Sequence, residues 1–159
     1  MNKVYVLLGG NMGNRKKYIA AALRQIEKKL GKVSRTSSLY QTAAWGNTDQ
    51  PDFLNRVIIV HTDQTAEKCL ETCLLIEASL GRVRTSKNAP RTIDIDLLFY
   101  NKAIVKQKSL CLPHPALHLR RFVLVPLNEL SPNFKHPVLQ QTIHQLLIKC
   151  KDELNVNKI

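Results

Sequence analysis

An α+β fold, an antiparallel sheet with helices packed on it, is predicted by three observations. Two β-rich apolar runs, at residues 4–8 and 53–62, are each followed by a stretch of helical periodicity. A third apolar run, at 93–100, follows the second of these helical stretches. Segments rich in Gly, Asn and Pro punctuate the series where the chain has to turn.

The opening run, VYVLL, is a strand, and Gly9, Gly10, Asn11, Gly13 and Asn14 after it form a loop. Ile19, Ala22, Leu23, Ile26 and Leu30 recur at helical spacing, so a helix is expected over 16–30, with Gly31 placed to end it. Residues 33–42 alternate enough for one strand, and 43–52, with Gly46, Asn47, Asp49 and Pro51, read as a loop. After the strand at 53–62, Thr65 can cap a second helix that turns Cys69, Leu70, Cys73, Leu74 and Leu80 inward and stops at Gly81. A basic loop from Arg82 to Arg91 leads into the strand at 93–100.

That order, βαββαβ, is the split βαβ pattern of ferredoxin-like folds. A C-terminal helical extension is expected from Leu139, Ile143, Leu146, Leu147 and Cys150, whereas 110–130 is interrupted by Pro113, Pro115 and Pro126 and yields no clear element. At 159 residues the chain fits one domain, 1–159, with a core that needs no disulfide.

The 24 Lys and Arg against 12 Asp and Glu give +12, which favours anionic partners: nucleic acid, acidic lipid or a phosphorylated small molecule. Cys69, Cys73, Cys111 and Cys150 form no CxxC pair and have no His at finger spacing, so buried or free thiols in a reducing cytoplasm are expected. No apolar stretch approaches membrane-spanning length, so no membrane partner is expected.

The segment PRTIDIDLLF, residues 90–99, interrupts an apolar strand with two acids. Residues two apart on a strand share a face, so Asp94 and Asp96 lie about 7 Å apart at the backbone while Ile93, Ile95 and Leu97 take the other face. Paired carboxylates repel, raise each other's proton affinity and call for hard cations such as Mg²⁺. The competing reading is an edge strand whose acids face water or pair with Arg82, Arg84 and Arg91. Those three arginines on one loop are suited to phosphate, although a basic surface loop is their ordinary role. His114, held between Pro113 and Pro115, can donate to a phosphate, with Arg120 and Arg121 following. Phe53 and Asn55 share a strand face and offer a ring to stack on and an amide to read an edge; the alternative is a core Phe and a turn-forming Asn.

Together these residues resemble the 6-hydroxymethyl-7,8-dihydropterin pyrophosphokinases of folate biosynthesis. The similarity spans nearly the whole chain: Gly9, Gly10 and Asn11; Gln50, Pro51, Asp52, Phe53, Leu54 and Asn55; Glu77; Gly81, Arg82, Val83 and Arg84; Pro90 to Asp96; Pro113 and His114. The resemblance implies transfer of pyrophosphate from ATP to the pterin hydroxymethyl group with release of AMP, and two Mg²⁺ ions on Asp94 and Asp96. It implies that Arg82, Arg84, Arg91, His114 and Arg120 meet the triphosphate, that Leu97 and Cys111 lie near the nucleoside, and that Glu77 faces the nucleotide. On the pterin side it implies Phe53 and Phe122 on the two ring faces, with Asn55 and the backbone of Thr42, Ala43 and Trp45 reading the edge. Where the family pattern often has Pro-Pro after the threonine, this chain has Ala43 and Ala44. A monomer that binds no nucleic acid is expected.

Two rival classes fit parts of this pattern. An RNA-binding module would suit the charge and fold, but its aromatic-rich signature is absent. A metal-dependent nuclease or phosphatase would use the same acids and release nucleotides or inorganic phosphate.

Overall fold

The strand nearest the N-terminus is apolar over residues 4–8 because it is buried there on both sides. The computed structural model describes residues 1–44, 49–82 and 90–159, and in it β1 (Asn2–Gly10) is the strand between β4 (Phe53–Thr62) and β5 (Asp94–Tyr100), antiparallel to both. Val4, Val6 and Leu8 point to one face of the sheet, Tyr5 and Leu7 to the other. Two helices, α1 (Arg15–Lys29) and α2 (Ala66–Ser79), cover the first face through Ile19, Ile26, Cys69, Cys73 and Ile76. The second is covered by α3 (Arg121–Leu130) and α4 (Ile143–Lys149) through Leu124, Leu127, Ile143 and Leu146. The result is a mixed α/β architecture with an antiparallel sheet between helical layers.

Local chemistry sets the element ends. Asn14 caps α1 by accepting from the Lys17 amide, and Thr65, as expected, caps α2 by accepting from that of Lys68. The expected single strand at 33–42 is instead two, β2 (Lys32–Thr36) and β3 (Tyr40–Thr42), both on β4. Ser37 divides them. Its hydroxyl accepts from the Val57 amide at 3.0 Å, replacing a backbone carbonyl, and Glu129 of α3 takes the Ser38 amide at 3.0 Å. The Tyr40 hydroxyl donates to the same carboxylate at 2.6 Å.

Two further differences lie near the C-terminus. The unassigned stretch 110–130 holds β7 (Cys111–Leu112), which pairs with β6 (Val105–Lys106), a short 3₁₀ turn at Leu117–Leu119, and α3 with Pro126 inside it. A short strand, β8 (Val156–Lys158), was not expected; it extends the sheet beyond β3, giving the order β5-β1-β4-β3-β8.

A register shift on β5 shapes the second face. Val6 lies opposite Leu97 and Tyr5 opposite Phe99, so Leu98 is an extra residue, and both Leu98 and Phe99 pack beneath α3 and α4. Tyr100 turns to the opposite face, where its hydroxyl donates to the Gln64 carbonyl at 2.7 Å.

Candidate active site

The site is a notch made by one glycine. In register, Asp94 lies opposite Gly9, and Gly9 lies opposite Asn55, so an acid, a gap and an amide form one row across β5, β1 and β4. A Cβ at Gly9 would stand 2.4 Å from Asn55 Oδ1, so only glycine leaves the row open. Asp96 lies one step along, opposite Leu7, on the same face. Phe53 and Thr42, paired between β4 and β3, extend the floor, and Arg120 and Phe122 overhang it from the start of α3. Thr42, Ala43, Phe53, Asn55, Arg91, Asp94, Asp96, Arg120 and Phe122 all line this cleft, as does Gln50.

The electrostatics at the two acids differ. Asp94 is held by Arg82, whose Nη1 donates at 2.8 Å and also reaches the Ile93 carbonyl at 3.1 Å, and by Arg91 Nη1 at 3.5 Å. Among the described residues Asp96 has no such clamp. Burial, then the charges of Asp94 and Glu77, push its carboxyl well above the ordinary range, and Arg120 and Arg82 offset this only in part. Above the cleft, the Arg91 guanidinium lies 5.3 Å from the Phe53 ring centroid and that of Arg120 lies 5.8 Å from the Phe122 ring. The enclosed space is accordingly small, about 50 Å³.

Five residues expected beside the nucleotide do not line the cleft; the first is Arg82, which is the clamp on Asp94 just described. Leu97 is on the opposite face of β5, in the core with α1 and α2, because strand alternation turns it away from the acids. Glu77 is buried at the inner side of α2, where its Oε2 accepts from the Ile95 amide at 2.7 Å and approaches Arg82 at 3.8 Å. Cys111 is exposed on β7, its thiol donating to the Gln107 carbonyl at 3.4 Å. His114 is anchored beside β5, its amide donating to the Leu98 carbonyl at 3.0 Å. Arg84 and Trp45 lie outside the described residues.

The profile of the 7,8-dihydro-6-hydroxymethylpterin-pyrophosphokinase (HPPK) family matches residues 5–132. The chain belongs to this family. It is 41% identical over 150 residues to the 2-amino-4-hydroxy-6-hydroxymethyldihydropteridine pyrophosphokinase of Methylorubrum extorquens, covering 94% of each chain. It is also 41% identical over 149 residues to the folic acid synthesis protein fol1 of Pneumocystis carinii, of which it spans only 20%. Among solved structures it shares its fold with Plasmodium falciparum HPPK-DHPS bound to pteroate, at a TM-score of 0.78 and 20% identity, over 93% of this chain and 42% of that one.

Within this HPPK domain the sequence reading gave Asn11 no role. It is buried, and it ties together the two segments that flank the cleft. Its Nδ2 donates to Gln50 Oε1 at 2.7 Å and to the Pro51 carbonyl at 3.0 Å, and its Oδ1 accepts from the Arg91 amide at 3.0 Å. The signal was a polar residue directly after two glycines at the end of a buried strand.

His114 carries a testable pH signature. Its Nδ1 accepts from the Ala116 amide at 3.1 Å, so the neutral ring carries its proton on Nε2. Burial, then Arg120, lower its pKa from 6.5 to about 4. An unfolded imidazole therefore binds a proton at pH values where the folded one does not, and the stability His114 contributes is full above about 6.5 and declines as pH falls toward 4. Urea unfolding should show that wild type loses about 2 kcal/mol more than His114→Gln between pH 7 and pH 5. Parallel losses in the two proteins would show that His114 titrates normally.

Proposed function

We propose that the notch performs pyrophosphoryl transfer from ATP to the hydroxymethyl oxygen of 6-hydroxymethyl-7,8-dihydropterin, releasing AMP. The observation that carries this reading is the single row Asp94–Gly9–Asn55, which sets an acid pair and an amide–phenylalanine pocket at opposite ends of one gap. A flat ligand over Gly9 would have Phe53 and Phe122 for its faces and Asn55, with the backbone of Thr42 and Ala43, for its edge.

The donor set fits Mg²⁺. Two carboxylates converge and, among the described residues, no third ligating side chain joins them, which suits an ion that takes one or two carboxylates and completes its shell with water and phosphate oxygens. Burial, and then the neighbouring charges of Asp94 and Glu77, raise the proton affinity of Asp96, a cost that a cation would offset. Two ions on Asp94 and Asp96 would neutralise phosphate charge between attacking and leaving oxygens.

The chain itself orients and neutralises. The pterin oxygen attacks the β-phosphorus in line, the bond to the α-phosphate oxygen breaks, AMP departs, and the hydroxyl proton is lost to solvent. A pterin seated between the two rings displaces the guanidinium groups of Arg91 and Arg120 from them, leaving both to meet the triphosphate. Arg82 holds Asp94 in place from beneath.

Counting β2 and β3 as one broken strand, the sheet order β5-β1-β4-β2/β3 supports a ferredoxin-like βαββαβ unit, with α3 and α4 as its C-terminal extension. Both cores share β1, β4 and β5, which supports reading 1–159 as one domain. Incubation with ATP, Mg²⁺ and the pterin should yield AMP one-for-one with pyrophosphorylated product. ADP formation, or ATP consumption indifferent to the pterin, would overturn the assignment.

A further inference from the structure

The sheet face that carries the acid pair holds a second cleft farther along β1. Tyr5, four residues from Gly9 and so about 13 Å away along the strand, forms its floor with Phe134; the two rings stack at 5.2 Å and 26°. The floor is fixed from below. Phe99 packs against both rings at 5.7 and 4.7 Å, and the Tyr5 hydroxyl is hydrogen-bonded to Ser131 Oγ at 2.7 Å. The cleft measures about 660 Å³ and shares no lining residue with the first.

Its rim is basic and unopposed. Lys3, Lys102 and Lys135 are exposed around the aromatic floor, and among the described residues no acidic side chain lines the cleft. Among the described residues none of these lysines has a carboxylate within 4.0 Å, and Lys3 Nζ hangs 5.4 Å from the Tyr5 ring centroid. An aromatic floor accepts any flat ring, and ammonium groups act on phosphate as point charges that need no fork geometry. The three ammonium groups gather around one floor instead of running along a stripe, which suits one phosphate and not a polynucleotide backbone.

We propose that this cleft binds a heteroaromatic phosphomonoester of the nucleoside monophosphate class, its ring on Phe134 and its phosphate among Lys3, Lys102 and Lys135. The inference is independent of the chemistry at the first cleft. Because Phe99 lies under the floor and follows the extra residue Leu98 on β5, an occupant would rest three residues from Asp96 in sequence.

Titration of ¹⁵N-labelled protein with AMP tests this, because shifts at the two clefts resolve separately. AMP should move the amides of Lys3, Asn101, Lys102 and residues 131–135, with an affinity that weakens in salt and weakens roughly tenfold or more in K3Q/K102Q/K135Q. Adenosine should leave those amides in place. The variant should fold as wild type and transfer pyrophosphate at the wild-type rate, since none of its three positions borders the first cleft. Shifts confined to the first cleft, equal shifts from adenosine, an unchanged affinity in the variant, or binding of single-stranded RNA without AMP would each overturn the proposal.

Discussion

Asp96→Asn is expected to reduce AMP formation roughly a thousandfold, equivalent to about 4 kcal/mol of transition-state stabilisation, without lowering the melting temperature. The two acids separate in this respect. In the folded chain Asp96 holds its proton well above the usual carboxylate range, so its favourable contribution to stability is confined to acid pH and is lost as pH rises through its folded pKa. At neutral pH an asparagine of the same shape removes that burden, and the melting temperature should stay level or rise. Asp94 is the partner of Arg82 and Arg91, so Asp94→Asn should lose activity to the same extent and also melt several degrees lower. A parallel assay of AMP release and thermal unfolding checks both. Retention of more than a tenth of wild-type activity by Asp96→Asn would remove it from the metal site, and equal melting temperatures for the two variants would contradict the different roles of the two acids.

The same segment shows how far the amino-acid pattern could be read. Strand alternation placed Asp94 and Asp96 on one face and the Leu97 side chain on the other, and the structure keeps that division. Periodicity located α1 and α2 to within a residue or so because each presents one apolar stripe to one sheet face. It failed where long-range hydrogen bonds decide. Nothing near Ser37 announces that its hydroxyl will replace a backbone acceptor for Val57 and split a strand, and the three residues of β8 have no apolar face, their pairing being supplied by the free edge of β3. Of the prolines that obscured 110–130, Pro113 and Pro115 lie outside any helix, and Pro126 alone is inside α3, on its buried side. At the site, residue types were legible and positions were not: the phenylalanines and arginines were each identified, but that the guanidinium groups rest over the rings is a product of tertiary packing.

The adjacent glycines offer the second large effect, because they face different parts of the site. A Cβ on Gly10 would stand 2.3 Å from the Thr92 carbonyl oxygen and 3.3 Å from that of Arg91, both backbone atoms that cannot rotate away. Gly10→Ala must therefore push the 91–92 segment outward, straining the Asn11–Arg91 hydrogen bonds and shifting the start of β5 at Asp94. A loss of about 2–3 kcal/mol in stability is expected, with a fall in kcat of roughly a hundredfold from misplacing the acids by about 1 Å. A Cβ on Gly9 instead meets Asn55 Oδ1, the end of a side chain, at 2.4 Å. Asn55 is buried and donates to Thr42 Oγ1 at 2.9 Å, so it can yield only by leaving that partner. Gly9→Ala should thus cost less stability, about 1–2 kcal/mol, and act mainly on the pterin, raising its KM roughly tenfold or more while the KM for ATP stays near wild type. Steady-state kinetics on both variants, with each substrate varied in turn, decides the matter. If Gly9→Ala raised both KM values alike, or if Gly10→Ala altered only the pterin term, the row of acid, gap and amide would not divide the two substrates as proposed.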